Sequence, residues 1–221
     1  MKIRLLIAMM LSAGIAAADA PDRLKAATES FKEVMGVPDR SIPQELLAKA
    51  ECVIILPSLK KGAFIFGASY GKGFVTCRKD GGVGWSAPGS VRVEGGSFGL
   101  QIGGSVTDVF MLVMNKKGMD RLLSTKFTLG GEASAAAGPV GRTTQAETDA
   151  AMTAEILTWS RSKGLFAGIS LKGSTLREDS DWNKELYGKT ITNRDVILKD
   201  TAPPAGASEL MSELNRFSSR K

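Results

Sequence analysis

A glycine-punctuated run, residues 62–115, constrains the fold of this chain more than any other stretch of its sequence. Short segments rich in β-branched and aromatic residues alternate there with glycines. Phe98, Leu100 and Ile102 share one parity, which would place them on one face of a strand. Residues 109–114 are apolar at both parities, as in a strand that is covered on both faces. With glycine-rich turns that favour hairpins, the run predicts a large, curved antiparallel β-sheet or a partly closed barrel.

Amphipathic segments on either side of this run predict short helices packed on the sheet, so the expected fold class is α+β. Apolar side chains recur at helical spacing in residues 21–35. Small polar residues ahead of apolar runs predict helix N-caps at Ser41, Asn115 and Ser180. Two more helices are expected, one that begins near Thr192 and a terminal amphipathic one that carries Leu210, Met211, Leu214 and Phe217.

Residues 1–18 have the pattern of a secretory signal peptide. Lys2 and Arg4 form a basic start, and the apolar stretch that follows is shorter than a membrane-spanning helix. The small residues at 16–18 fit a cleavage site. The sequence therefore predicts an exported protein, periplasmic or secreted, that can lie peripherally on a membrane.

The charge balance limits the class of partner. The chain carries 29 Lys and Arg against 23 Asp and Glu, and removal of residues 1–18 takes away two of the cations, which leaves +4. This mild surplus suits weak attraction to anionic lipid headgroups but does not resemble a dense nucleic-acid-binding patch. Ordinary solubility charge explains it equally well.

Cys52 and Cys77 are the only cysteines of the sequence. An oxidising compartment permits a disulfide between them, whereas their apolar surroundings also suit two buried free thiols, and both states stay open. Two thiols in a chain without histidine make a poor zinc site, so neither a metal nor another cofactor is expected.

Two matches to the pattern G-x-S-x-G, around Ser69 and Ser97, resemble the nucleophile elbow of hydrolases. That chemistry needs a base, normally histidine, and the chain has none. Strand-like sequence follows both serines where an elbow needs a helix, so both are interpreted as glycine-kinked strands and no catalytic residue is predicted. Asp108, just before the most apolar segment, is likewise expected to satisfy backbone donors.

Basic residues near predicted turns are the candidates for contacts with anionic headgroups. Lysines flanked by glycine allow a phosphate to approach backbone N–H groups as well as the ammonium group. The predicted lipid-binding cluster is Lys60, Lys61, Lys72, Arg78 and Lys79. For any single member, a solvated turn charge is the alternative interpretation.

Four segments, in chain order, resemble the SYLF domain family: GASYGKGFVTCRK, WSAPGSVRVEGGSFGLQIGGSVTDVFMLVMN, FTLGGEASAAAGPVGR and WSRSKGLFAGISLKGS. The resemblance covers residues 46–198 and suggests a division of the chain into four parts. These are the signal peptide 1–18, an N-terminal helical segment 19–45, the SYLF-like domain 46–198, and a linker with a C-terminal amphipathic helix 199–221.

The resemblance implies a non-enzymatic domain that binds phosphoinositides or other acidic lipids, with actin binding in the fungal branch of the family. For an exported protein the expected partner is acidic phospholipid at an envelope membrane surface, and neither actin nor nucleic acid is expected. The alternative function is a structural or protein-interaction module of the cell envelope, whose protein partner the sequence does not identify.

Overall fold

A curved sheet of nine strands lies at the centre of the computed structural model, which describes residues 19–63, 66–98, 103–124, 126–141 and 153–218. The strand order is β5-β9-β3-β2-β1-β4-β7-β6, and β8 also pairs with β7. The strands are β1 Cys52–Ala63, β2 Phe66–Cys77, β3 Gly89–Phe98, β4 Gly103–Val113, β5 Lys126–Thr128, β6 Ala135–Ala137, β7 Ile156–Ser162, β8 Leu165–Gly168 and β9 Thr175–Glu178.

The predicted α+β class is confirmed, since the sheet curves into a half-barrel packed by several short helices. One detail of the prediction is wrong, because the sheet is mixed and not purely antiparallel. Strand β6 runs parallel to β7, with Ala135 opposite Ile156. The chain between these strands, residues 138–155, exceeds the dozen or so residues that a parallel crossover needs. The predicted signal peptide, Leu100 and Ile102 lie outside the described residues.

Six α-helices lie in the described part of the chain, together with a single 3₁₀ turn at Pro38–Arg40. They are α1 Ala20–Met35, α2 Gln44–Lys49, α3 Lys116–Leu122, α4 Ser180–Tyr187, α5 Asn193–Leu198 and α6 Ala207–Phe217. All the predicted helices are therefore present.

Two of the predicted N-caps are displaced. Asn115 caps α3 as expected, since its side chain accepts the Gly118 N–H at 2.8 Å. Ser41 does not cap α2, because Pro43 occupies the cap position and the Ser41 hydroxyl donates to the Pro38 carbonyl instead. The cap of α4 is Asp179, one residue before the predicted Ser180.

Both faces of the sheet are covered by apolar layers. Val109, Met111 and Val113 of β4 lie in one core, whereas Phe110 and Leu112 lie in the other. The prediction of a strand apolar at both parities is therefore confirmed. Helices α1, α2 and α6 pack on the Phe110 side, and we call this side the α1 face.

Helix α1 crosses the strands instead of running along them. Arg23 donates to the Pro57 carbonyl of β1, Ser30 donates to Asp108 of β4, and Glu33 forms an ion pair with Arg161 of β7. Since β1, β4 and β7 are adjacent strands, the three contacts show that α1 runs across the middle of the sheet. Beyond it, toward the β1–β2 connection, several positions of the α1 face are exposed to solvent.

Candidate functional site

The predicted basic residues lie far apart along strands β1 and β2 and in the chain just after β2. Lys60 and Lys61 are consecutive in β1 and therefore face opposite sides of the sheet. Lys60 lies opposite Tyr70, seven residues before the end of β2 at Cys77. At the rise of a strand this separates Lys60 from Lys79 by more than about 20 Å. The five predicted residues do not form one surface.

Arg78 is a correction to the predicted set, because it is buried and 5% exposed. Its guanidinium lies 3.9 Å from the centre of the Trp85 ring and donates to the carbonyl of Ser218 at 2.6 Å and to that of Leu47 at 3.4 Å. A buried charge is tolerated when it is hydrogen-bonded in this way. Arg78 thus joins α2 and the end of α6 to the sheet, and its charge is directed into these buried contacts.

Lys79 lies near the same end of the sheet as Arg78. It is exposed, and its ammonium group pairs with Asp200 at 2.7 Å. Exposed pairs of this kind stabilise a fold by at most about 1 kcal/mol. Lys79 is therefore available to solvent but lies at the wrong end of β2 to act together with Lys60.

Lys72 neutralises a buried carboxylate. Its Nζ lies 2.8 Å from Asp179 Oδ2 and 4.5 Å from the centre of the Trp182 ring. The Asp179 side chain is fully buried, and its other oxygen accepts the N–H of Trp182 at 3.1 Å, which caps α4. The Lys72 side chain stays 23% exposed, so it belongs to the surface as well as to the packing of α4.

A row of four basic residues crosses the sheet from Lys72. Lys72 lies opposite Arg92, Arg92 lies opposite Arg177, and Arg177 lies opposite Lys126. Residues directly opposite in antiparallel strands share a face, with Cβ atoms about 4.5–5.5 Å apart. We call these four residues the cationic row. It lies on the α1 face, where Lys72 contacts α4.

Two carboxylates lie against the cationic row and reduce its charge without cancelling it. Glu94 contacts Arg92 Nε at 3.1 Å and Arg177 Nε at 3.6 Å, and Asp179 pairs with Lys72. Like charges on opposite residues repel, and these carboxylates offset that repulsion. Four cations against two carboxylates leave a net positive charge on a preorganised sheet surface.

Sequence reasoning missed Arg92, Arg177 and Lys126. The alternation Val91-Arg92-Val93 indicates that Arg92 faces away from the Val91 core, and this signal was available in the sequence. The neighbours of Arg92 were not predictable, because they come from β9 and β5, which are distant in the chain.

One step closer to the β1–β2 connection lies a second row on the same face. Lys60 sits between Tyr70 of β2 and Val106 of β4, directly opposite both. Tyr70 is 47% exposed and Val106 is 57% exposed, and Lys60 is exposed as well. We call these three residues the outer row.

The two serines of the G-x-S-x-G patterns lie within strands, which confirms their interpretation as strand residues. Ser69 is in β2 and Ser97 is in β3, without the strand-to-helix turn that an elbow needs. The Ser69 hydroxyl donates to the Gly95 carbonyl at 3.4 Å. In the residues that the structure describes, no group of three metal-ligating side chains comes together.

A buried carboxyl with a lowered pKa, that of Glu155, lies away from both rows. Burial alone would raise the pKa of Glu155, but hydrogen bonds from Arg121, Lys117 and the Ser134 N–H outweigh it and hold that pKa below its ordinary value. The Arg121 contact is 2.6 Å long. This cluster ties α3 to the start of β7 and serves stability.

Cys52 and Cys77 form a disulfide in the structure. They lie directly opposite each other in β1 and β2, and both are fully buried. The bridge is near the Arg78 end of the sheet, far from the outer row. None of the described helices is both long enough and apolar enough to cross a membrane.

Comparison with known proteins identifies relatives. The family model described as "Ysc84: Las17-binding protein actin regulator" matches residues 94–217. An SH3 domain-containing protein of Schizosaccharomyces pombe is 39% identical over 79% of this chain and 41% of its own length. SH3 domain-containing YSC84-like protein 1 of Homo sapiens is 34% identical over 83% of this chain and 53% of its own length.

A third relative is LAS seventeen-binding protein 3 of Saccharomyces cerevisiae, which is 33% identical over 80% of this chain and 39% of its own length. The chain thus spans about half or less of each of these three curated relatives.

Proposed function

This chain belongs to the Ysc84 family of Las17-binding actin regulators, the SYLF family that its motifs resemble, and on that premise we propose that it is a non-enzymatic module that binds acidic phospholipid at a membrane surface. The observation that carries the proposal is the cationic row. Four basic side chains are held at strand spacing on a partly uncovered sheet face, next to the exposed Lys60.

The chemistry of the row fits a layer of phosphates. Arg92 and Arg177 present planar guanidinium groups that can donate in pairs to phosphate oxygens. Their Nε atoms face Glu94, so the terminal nitrogens remain to contact a ligand. Cations close to an anionic membrane surface each contribute about 1 kcal/mol of attraction.

Export is part of the same proposal. Cleavage after Ala18 would give a mature chain that begins at Asp19, directly before helix α1. In that compartment the acidic ligand would be envelope phospholipid. N-terminal sequencing of the protein from the producing cell checks this point, and a chain that still begins at Met1 would contradict it.

The absence of enzymatic activity is also proposed. Neither Ser69 nor Ser97 has a histidine to act as its base, since the sequence contains none. A fluorophosphonate probe should therefore leave the purified protein unlabelled. Covalent labelling of either serine would overturn this part of the proposal.

Vesicle flotation tests the lipid proposal. The protein should float with vesicles that contain phosphatidylglycerol or phosphatidylserine and not with pure phosphatidylcholine, and binding should weaken as salt is raised. The double variant Arg92→Gln/Arg177→Gln removes two cations from the row. At about 1 kcal/mol each, it should bind about 30-fold more weakly.

A matched control removes the same charge elsewhere. Lys79 and Lys199 are exposed lysines near Asp200, at the other end of the sheet, and Lys79→Gln/Lys199→Gln should bind nearly as well as the wild type. An equal loss of vesicle affinity in both double variants would mean that binding depends on net charge and not on the cationic row. Failure of the wild type to float would refute lipid binding. The alternative is a protein-interaction module, since the family description and the name of the Saccharomyces cerevisiae relative both refer to Las17 binding. It would then be tested by measuring whether this protein binds Las17 directly.

A further inference from the structure

We infer that the outer row inserts into the interfacial layer of an acidic bilayer, so that the sheet docks with its β1–β2 end toward the membrane. The inference rests on the proposed lipid binding and adds which side chains enter the bilayer and how the domain is oriented. It concerns Tyr70 and Val106, with Lys60 between them.

The geometry makes the outer row one continuous amphipathic strip. Neighbouring strands lie about 4.8 Å apart, so Tyr70 and Val106 are about 10 Å apart across β1. Lys60 lies between them in register, and a lysine there can lay its aliphatic stem along the strip and extend its ammonium group beyond it. Single exposed apolar residues are normal on a protein surface, but two that flank one lysine in register form a patch.

The next positions toward the β1–β2 connection let a flat surface approach closely. Gly62 lies opposite both Ala68 and Gly104, and all three are exposed. A Cβ atom added at Gly62 would meet no atom within 4 Å. No bulky side chain at these three positions holds a membrane away from Tyr70 and Val106.

A bilayer suits this strip better than a second copy of the chain does. Tyrosine places an apolar ring in the acyl region and its hydroxyl among the headgroups, and lysine reaches the phosphates from the same depth. The cationic row lies one step behind and would face the same headgroups. A two-fold dimer centred on this strip would instead bring Lys60 close to its own copy, and like charges would repel.

Insertion is measured directly with a tryptophan at the outer row. The native Trp85, Trp159 and Trp182 are buried and provide a constant background. The emission of Tyr70→Trp should shift to the blue on addition of anionic vesicles and should be quenched by brominated lipid. Val83→Trp is the matched control, because Val83 is 61% exposed but lies in the β2–β3 loop at the other end of the sheet, and its emission should not change.

Removal of the strip tests its contribution. Tyr70→Ser/Val106→Ser should lose about tenfold in affinity for anionic vesicles. The affinity of this variant should fall with rising salt as steeply as that of the wild type. Val83→Ser/Leu198→Ser deletes similarly exposed apolar side chains and should bind like the wild type.

The outcomes separate this inference from the lipid proposal. If the wild type floats in a salt-dependent way but Tyr70→Trp shows no shift and Tyr70→Ser/Val106→Ser binds fully, docking is electrostatic and insertion is wrong, whereas lipid binding stands. If the wild type does not float, both are wrong. A wild-type dimer in vesicle-free solution that Tyr70→Ser/Val106→Ser converts to a monomer would assign the strip to self-association and overturn the inference.

Discussion

Loss of the ion pair between Lys72 and Asp179 should destabilise the fold more than loss of any other contact of the cationic row. Asp179 is fully buried, and Lys72 lies 2.8 Å from one of its oxygens. In Lys72→Met the carboxylate would lose this partner, and breaking a buried pair costs about 3–5 kcal/mol. Because the Lys72 side chain is 23% exposed, water can reach part of the gap. We therefore expect the free energy of unfolding to fall by about 2–3 kcal/mol.

The assay is urea denaturation followed by intrinsic tryptophan fluorescence, to which Trp182 contributes from its place beside Phe74 and Lys72. Asp179→Asn can still accept the Trp182 N–H that caps α4, so Lys72→Met/Asp179→Asn should recover most of the loss. The control is Lys32→Met, which breaks an exposed pair with Glu209 and should reduce the free energy of unfolding much less, because solvent screens exposed pairs. If Lys72→Met is no less stable than Lys32→Met, the buried pair does not hold α4 and the reasoning fails.

Three further predictions follow from the other buried contacts. Arg78→Met should lower the free energy of unfolding by about 2–3 kcal/mol, because it removes charged hydrogen bonds to the chain end, yet leave vesicle affinity unchanged. Thiol titration of the unfolded, unreduced protein should find no free thiol, and reduction of Cys52–Cys77 should cost about 3 kcal/mol for its loop of 25 residues. The lowered pKa of Glu155 means that its stabilisation is present above its ordinary value of 4.5 and is lost as pH falls through the lower folded value. As the pH is lowered through that range, the free energy of unfolding of Glu155→Gln should fall less steeply than that of the wild type.

The sequence was sufficient to predict local features of the fold. Residues 109–114, apolar at both parities, are covered on both faces, and the two G-x-S-x-G serines lie in strands. Asp108 satisfies a backbone donor as expected, since it accepts the Ser58 N–H at 2.9 Å. The first two predictions depend on side-chain alternation and local sequence, whereas Asp108 and its donor Ser58 come from different strands, β4 and β1.

The proposed binding face was not predictable from the sequence, because it depends on register between strands that are distant in sequence. Arg177 comes beside Arg92 only when β9 pairs with β3, and that pairing has no short-range signal. The burial of Arg78 has the same origin, since its partner Ser218 lies near the end of the chain. Closeness in sequence predicts one cluster of basic residues near turns, whereas strand register brings a different set together.

The position of Lys60 shows how one irregularity sets the outer row. Strand β1 contains an extra residue between Leu56 and Leu59 relative to β4, and Ser58 there has a positive φ of 57°. This β-bulge reverses the alternation, so Leu59 points into the same core as Leu56 and Lys60 moves to the α1 face.

Asp108 holds the bulge from β4. One of its oxygens accepts the Ser58 N–H, and the other accepts from Ser30 of α1 and from Arg161. If the same sequence alternated regularly, without the bulge, Lys60 would lie on the face of the Leu56 core and Tyr70 and Val106 would have no cation between them. The carboxylate that anchors α1 to the sheet therefore also fixes the alternation on which the proposed membrane contact depends.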